Sequence, residues 1–208
     1  MYKHFKKIIF QLLLPILKII KLLKWKYYLI ANNEIKIIIG SGTTKYKGWF
    51  PTDIYYLDVT NNKNFQKYFS KIKINKILAE HVLEHLTNDD LEKMIKNFSE
   101  FTDKNINIRI AVPDGYHKDI NYINAVKPDG IGEGADTHIN LFNYKSLSNI
   151  FEKVGFKSVL KEYWDEKGNF HHYNLGIENG FITRSFENDI RNKDGKPNYT
   201  SLIIDFKK

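Results

Sequence analysis

The β-branched run Ile35-Lys36-Ile37-Ile38-Ile39 passes directly into Gly40-Ser41-Gly42, and Asp53 stands 13 residues beyond Gly40. A run of this kind breaking into paired glycines predicts a buried strand that ends in a tight turn. At such a turn, backbone N–H groups can approach a bound cofactor closely. An acid at the end of the next strand can accept from both hydroxyls of a ribose. The third glycine of a dinucleotide fingerprint is replaced by Lys45, and the acid comes earlier than the ~20 residues usual for NAD-type folds, which disfavours a nicotinamide dinucleotide. A hairpin glycine pair and a surface aspartate account for the same residues if nothing else is weighed.

Further candidates follow the apolar run Ile74 to Ala79, which leads into Glu80-His81-Val82-Leu83-Glu84-His85-Leu86. Asp114 ends a later alternating run, Ile106 to Val112, and His138 follows a glycine-bearing stretch. An imidazole with an ordinary pKa of ~6.5 is well suited to take a proton from a hydroxyl at neutral pH. His138 and Asp114 are therefore the candidate bases, with His117, His171 and His172 further from consideration. The plain alternative for His81 and His85 is that they form the polar edge of a turn burying Val82 and Leu86. The chain has no cysteine, which excludes disulfides, thiolate zinc sites and cysteine nucleophiles and fits a reducing cytoplasm. No metal site is expected.

The elements that must position these groups alternate between strand and helix, which predicts a doubly wound, mostly parallel α/β sheet. Trp49 to Ile54 and Tyr55 to Val59 read as two short extended pieces closing near Asp53 and Asp58. Phe65, Tyr68, Phe69 and Ile72 have the spacing of one buried helical face, as do Leu91, Met94, Ile95, Phe98 and Phe101. Thr87 or Asn88 can cap the second of these helices. Residues 115–137 read as a long loop over the site. A helix around Leu147 to Val154 stops at Gly155. Phe156 to Tyr163 and Tyr199 to Phe206 read as the last strands, with the polar stretch 164–198 between them shaping an acceptor pocket.

Seven lysines, Lys3, Lys6, Lys7, Lys18, Lys21, Lys24 and Lys26, precede the first acid, Glu34, so all but one unit of the +8 net charge lies in this segment. The rest of the 208-residue chain is nearly neutral, which argues against an extended nucleic-acid surface. Lys18, Lys21 and Lys24 recur every third residue on one side of a predicted helix, and Gln11, Pro15 and these lysines interrupt any membrane-spanning run. A basic amphipathic helix over residues 1–30 suits the headgroups of an anionic inner leaflet, and its apolar side can equally pack on the domain or on a second subunit in a homodimer. No cleavage site of a secretory signal follows it. The expected division is a helical extension over 1–33 and a catalytic domain over 34–208.

The series Ile37 to Gly42, Gly48-Trp49, Thr52-Asp53-Ile54, Leu57-Asp58-Val59-Thr60, Ala79 to Leu86 and Ala111-Val112-Pro113-Asp114 resembles the S-adenosylmethionine (SAM)-dependent methyltransferase-like proteins of bacterial surface-glycan clusters. His138 with Phe142, the Val154-Gly155-Phe156 corner and the strand ending in Lys207 extend the resemblance over residues 35–208. It implies a Rossmann-like class I methyltransferase fold, seven strands with the last antiparallel, and S-adenosyl-L-methionine as cofactor. By position, Gly40, Ser41 and Gly42 would hold the cofactor's amino-acid portion, Asp53 its ribose and Asp58 its adenine, with Glu80 and His81 beside the methionine part. SAM carries hydroxyls and amines and no phosphate, so carboxylates suit it better than cations. The resemblance further implies O-methylation of a glycan or glycan precursor in cell-surface polysaccharide biosynthesis, at the cytoplasmic face of the membrane. N-methylation of a small metabolite or amino sugar, needing no base, and a catalytically silent SAM-fold binding protein are the alternatives. Residues 164–198 match nothing in the family, which leaves the acceptor open.

Overall fold

The computed structural model describes the backbone of residues 2–208 and the side chains of residues 15–208. The chain divides into two compact units, Met1–Ile35 and Lys36–Lys208. The first is one long helix, α1 (Tyr2–Ala31), which carries Pro15 within it. Ile16, Leu17, Ile19, Ile20 and Leu23 are exposed along it, and so are Lys18, Lys21 and Lys24. Among the described residues, no helix is long and apolar enough to cross a membrane.

In the second unit, the strands are β1 (Lys36–Ile39), β2 (Phe50–Pro51), β3 (Ile74–Glu80), β4 (Thr102–Pro113), β5 (Lys157–Trp164), β6 (Phe170–His172) and β7 (Ser201–Lys207), all but β6 expected from the sequence. They form one seven-stranded sheet in the order β2-β1-β3-β4-β7-β5-β6. β1 pairs in parallel with β2 and β3, and β3 with β4, whereas β7 is antiparallel to both of its neighbours, β4 and β5. β5 therefore runs with the first four strands. This is the doubly wound sheet expected from the alternation of elements, with the Rossmann-like form and antiparallel last strand that the resemblance implies. Its central strands are apolar on both faces: Ile37 to Ile39, Ile77 to Ala79, Ile108, Ile110 to Val112 and Leu202 to Ile204 are all buried, which requires cover on both sides.

Helices α2 (Asn62–Phe69) and α3 (Asn88–Phe101) pack through rings, Phe65 lying 6.2 Å from Phe98 and 5.6 Å from Phe101 between centroids. Thr87 caps α3 by accepting from the Asp90 N–H. α5 (Tyr144–Glu152) begins with a reciprocal Asn143–Ser146 capping box and stacks Phe151 on Phe206 of β7 at 3.8 Å. Gly155 ends it with φ at +94°.

Three expectations are corrected. Tyr55 to Val59 is not extended: the Asp53 side chain accepts from the Tyr55 N–H and its carbonyl accepts from Tyr56 and Leu57, which folds the segment into turns. The stretch 115–137 is not all loop, because Asp119 caps a short helix, α4 (Ile120–Val126), and a 3₁₀ turn follows at Ala135–Thr137. The seventh strand is β6, a short hairpin partner of β5 inside the stretch read as irregular.

Candidate functional site

β1 is the switch point of the sheet. From its carboxyl end the chain crosses to β2 on one side, and β3 lies on the other; ligands of open α/β sheets bind at such points, beyond the strand ends. A cavity of about 690 Å³ opens at the carboxyl ends of β3 and β4. Glu80, His81 and Pro113 come from those ends, Ala125, Val126, Gly132 and His138 from α4 and its continuation, and Thr183, Arg184, Arg191 and Tyr199 from the segment before β7. Thr44, just past the glycine turn, also lines it.

The glycine turn is a packing device. Gly40 and Gly42 have φ of +57° and +51°, and a Cβ at Gly40 would lie 2.6 Å from Cγ2 of Val82. The Ser41 N–H is spent on the Thr52 carbonyl at 3.0 Å. Space beside Gly42 is open. Asp53 and Asp58 sit in local turns, Asp58 Oδ1 accepting both the N–H and the hydroxyl of Thr60. Gly40, Ser41, Gly42, Asp53 and Asp58 do not line the cavity; of the expected cofactor-binding residues, Glu80 and His81 do. The Glu80 carboxylate accepts from the N–H groups of Thr183 and Arg184 at 3.2 and 2.7 Å, pinning the segment before β7 to the end of β3.

His81 has a left-handed backbone, φ +54°, uncommon without glycine. Three contacts hold it there. Its N–H donates to the Ala111 carbonyl, Nε2 lies 3.1 Å from Ser201 Oγ, and Nδ1 lies 3.0 Å from Glu84 Oε1. The Ser201 hydroxyl donates to the Arg184 carbonyl, so its oxygen accepts the His81 Nε2 proton.

His138 reaches the cavity, with Nδ1 2.6 Å from the Val126 carbonyl. A carbonyl only accepts, which places the proton on Nδ1 and leaves Nε2 with its lone pair. Asp114, the other candidate base, does not line the cavity. It is buried, with Oδ1 accepting from Tyr116 N–H and Oδ2 from Trp164 N–H. Burial raises its pKa to about 7 against those two backbone bonds. Its carboxyl is thus committed to joining the β4 end to β5. His117 is buried against Tyr122 and Trp164, and burial pushes its pKa down to about 4. His171 pairs with Asp165 at 3.0 Å, and His172 packs on Phe186; none of these three histidines lines the cavity.

No family model matches the chain, and no curated protein does. Among solved structures, it is similar to a SAM-dependent methyltransferase from Archaeoglobus fulgidus (14% identity, 92% of each chain, TM-score 0.48). It is also similar to LepI in complex with SAM (7% identity, 90% of this chain and 40% of that one, TM-score 0.47). A third similarity is to a SAM-dependent methyltransferase from Anabaena variabilis (9%, 88% and 70%, TM-score 0.44). At TM-scores below 0.5 these likenesses add nothing to the strand order, on which the fold stands by itself.

Several lining groups escape sequence reading. Arg184 and Arg191 follow no spacing rule, and Arg191 is positioned by Asp189 at 2.5 Å and by the Tyr199 ring 3.2 Å beneath its guanidinium. Glu84 and His85 were visible as residue types. The 3₁₀ turn Leu83–His85 and the arrival of His138 bring donor atoms of Glu84, His85 and His138 within 4.8 Å of one another, a set able to hold a metal ion.

Proposed function

We propose that the protein is an S-adenosyl-L-methionine-dependent methyltransferase that O-methylates a glycan or glycan precursor. The position of the cavity carries this reading. It lies at the carboxyl ends of β3, which adjoins the switch strand β1, and of β4, its volume of about 690 Å³ falls within the ~300–1,000 Å³ of small-ligand sites, and it holds Glu80, His81 and His138 together. In this reading the methionine part of the cofactor lies beside Glu80 and His81, and its amino-acid end reaches the open side of the Gly40–Gly42 turn. Asp53 accepts from the ribose, and Asp58 meets the adenine.

Methyl transfer to oxygen breaks the sulfonium S–CH₃ bond, forms the O–CH₃ bond and releases the hydroxyl proton. Most of the catalysis is placement of the acceptor about 3 Å from the methyl carbon. His138 offers its lone pair at the hydroxyl. The exposed lysines and apolar side chains of α1 support work at an anionic membrane surface, where a lipid-linked acceptor would be met.

Isothermal titration with SAM and S-adenosylhomocysteine tests the reading, and failure to bind either removes it. With an acceptor in hand, His138→Ala is expected to lose at least tenfold in turnover. Unchanged turnover would point to an amine acceptor.

A further inference from the structure

Glu84 is wholly buried, and among the described residues neither of its carboxylate oxygens has a hydrogen-bond partner apart from the His81 ring nitrogen beside Oε1. A buried carboxylate without donors is costly, by several kcal/mol for a charged group, and calls for a compensating charge. His81 Nδ1 stands 3.0 Å from Oε1, on an imidazole whose Nε2 already donates to Ser201. With the His81 proton on Nε2, that contact leaves Oε2 without a donor.

Beside this carboxylate stand two imidazoles in one tautomer. His85 Nδ1 lies 3.1 Å from both the carbonyl and the hydroxyl oxygen of Thr137. The Thr137 hydroxyl donates to the Gly134 carbonyl, so both oxygens accept, and the His85 proton must be on Nδ1. His138 is fixed in the same way by Val126. Each ring therefore keeps the Nε2 lone pair, and the rings meet edge to face at 4.8 Å between centroids. Backbone carbonyls that bind the far nitrogen of two neighbouring imidazoles are the usual outer support of metal-ligating histidines.

We propose that Glu84, His85 and His138 bind a divalent transition-metal ion of the zinc, cobalt or manganese class. Two imidazoles and a carboxylate suit these ions and leave positions open for oxygen ligands. Bonds of about 2.0–2.2 Å require the donors to draw together from their present spacing. His85 and His138 line the cavity, so the open positions face its contents. His81 is a positioning residue that orients the Glu84 carboxylate. The cation site itself needs only these side chains; with the cation bound, the Nε2 lone pair of His138 is spent on the metal, so the cation would lower the pKa of the acceptor hydroxyl in place of His138 acting as base, a role that rests on the methyl-transfer reading.

The test uses the full chain without a polyhistidine tag, stripped with chelator and titrated with Co²⁺ under visible absorption, then with Zn²⁺ in competition. One equivalent of Co²⁺ with a d–d band displaced by Zn²⁺ is expected. Glu84→Gln, His85→Asn and His138→Asn should each weaken binding at least tenfold, and His171→Asn should leave it unchanged. Circular dichroism checks that each variant is folded. Since Glu84 is buried, the His85 variant decides the matter if Glu84→Gln does not fold. No saturable band, or a band that the His85 and His138 variants leave intact, overturns the site. Calorimetry with SAM on the same stripped protein separates the two claims: cation binding without SAM binding supports the site and removes the methyl-transfer reading, whereas SAM binding without cation binding overturns the site.

Discussion

Gly40 and Val82 join the two sequence motifs of this chain through a contact with no room for a single added carbon, since a Cβ at Gly40 would lie 2.6 Å from Val82 Cγ2. The glycine turn after β1 and the turn after β3 therefore close on each other. Gly40→Ala is expected to destabilise through two effects: about 1 kcal/mol for a side chain at positive φ, and about 1–3 kcal/mol for overpacking. Val82→Ala in the same chain should recover the second and not the first, read from urea midpoints.

Arg109 of β4 and Asp205 of β7 are register partners and form a buried bidentate pair, Nε–Oδ1 2.7 Å and Nη2–Oδ2 2.8 Å. The guanidinium also donates to the carbonyls of Leu175, Gly176 and Gly180, fastening the chain after β6 to the sheet. Arg109→Met leaves a buried aspartate without its partner, and a loss of about 3–5 kcal/mol is expected by denaturant unfolding.

Two buried carboxyls predict a fall in stability on the alkaline side. Burial raises Glu162 from 4.5 to about 8, against the Phe186 N–H bond to its carboxylate, and Asp114 from 3.8 to about 7. Between those limits the folded state keeps protons that the unfolded state has lost, so stability is lost as pH rises. His117, lowered from 6.5 to about 4 by burial, acts oppositely, its stability being lost as pH falls through that window. Above pH 6.5 only the carboxyls act. Melts from pH 6.5 to 8 should show a decline of up to about 1.4 kcal/mol per pH unit per group, shallower in Glu162→Gln.

Gly132 allows the segment after α4 to fold back over the cavity, with its N–H bonded to the Ala125 carbonyl at 2.9 Å. A Cβ there would lie 2.6 Å from that same oxygen. Gly132→Ala should push the segment outward, raise amide exchange over residues 125–138 and weaken ligand binding, while the global unfolding midpoint moves little.

Charge reversal of Lys18, Lys21 and Lys24 to Glu tests the membrane role proposed for α1. At about 1 kcal/mol per basic residue near an anionic surface, the triple variant should float with phosphatidylserine liposomes at least a hundredfold less. Equal flotation would end that role.

Much of the sheet was legible in the sequence because its signals are local. Isoleucine runs ended by glycine, proline or aspartate, and phenylalanines at helical spacing, state their own burial wherever they occur. The segment Tyr55 to Val59 was misread as extended because whether the short side chain of Asp53 ends a strand or closes a turn depends on which backbone N–H comes within reach. As candidate bases Asp114 and His138 were indistinguishable by type; bonds from the Tyr116 and Trp164 N–H groups committed the one, and the Val126 carbonyl fixed the other where it lines the cavity.

The order of residues determined the α/β alternation, the basic helix and the motif that bears Glu84 and His85. Only the tertiary structure decided that His138, more than 50 residues away, completes a cluster with them, and that Arg184, Arg191 and Tyr199 wall the same cavity. The physical reason is that periodicity records which side of an element is buried, whereas the meeting of three donors depends on the path of the chain between them, here set by the cap of α4, the fold-back at Gly132 and the bonds that the Ile139 and Asn140 N–H groups donate to Glu84's own carbonyl.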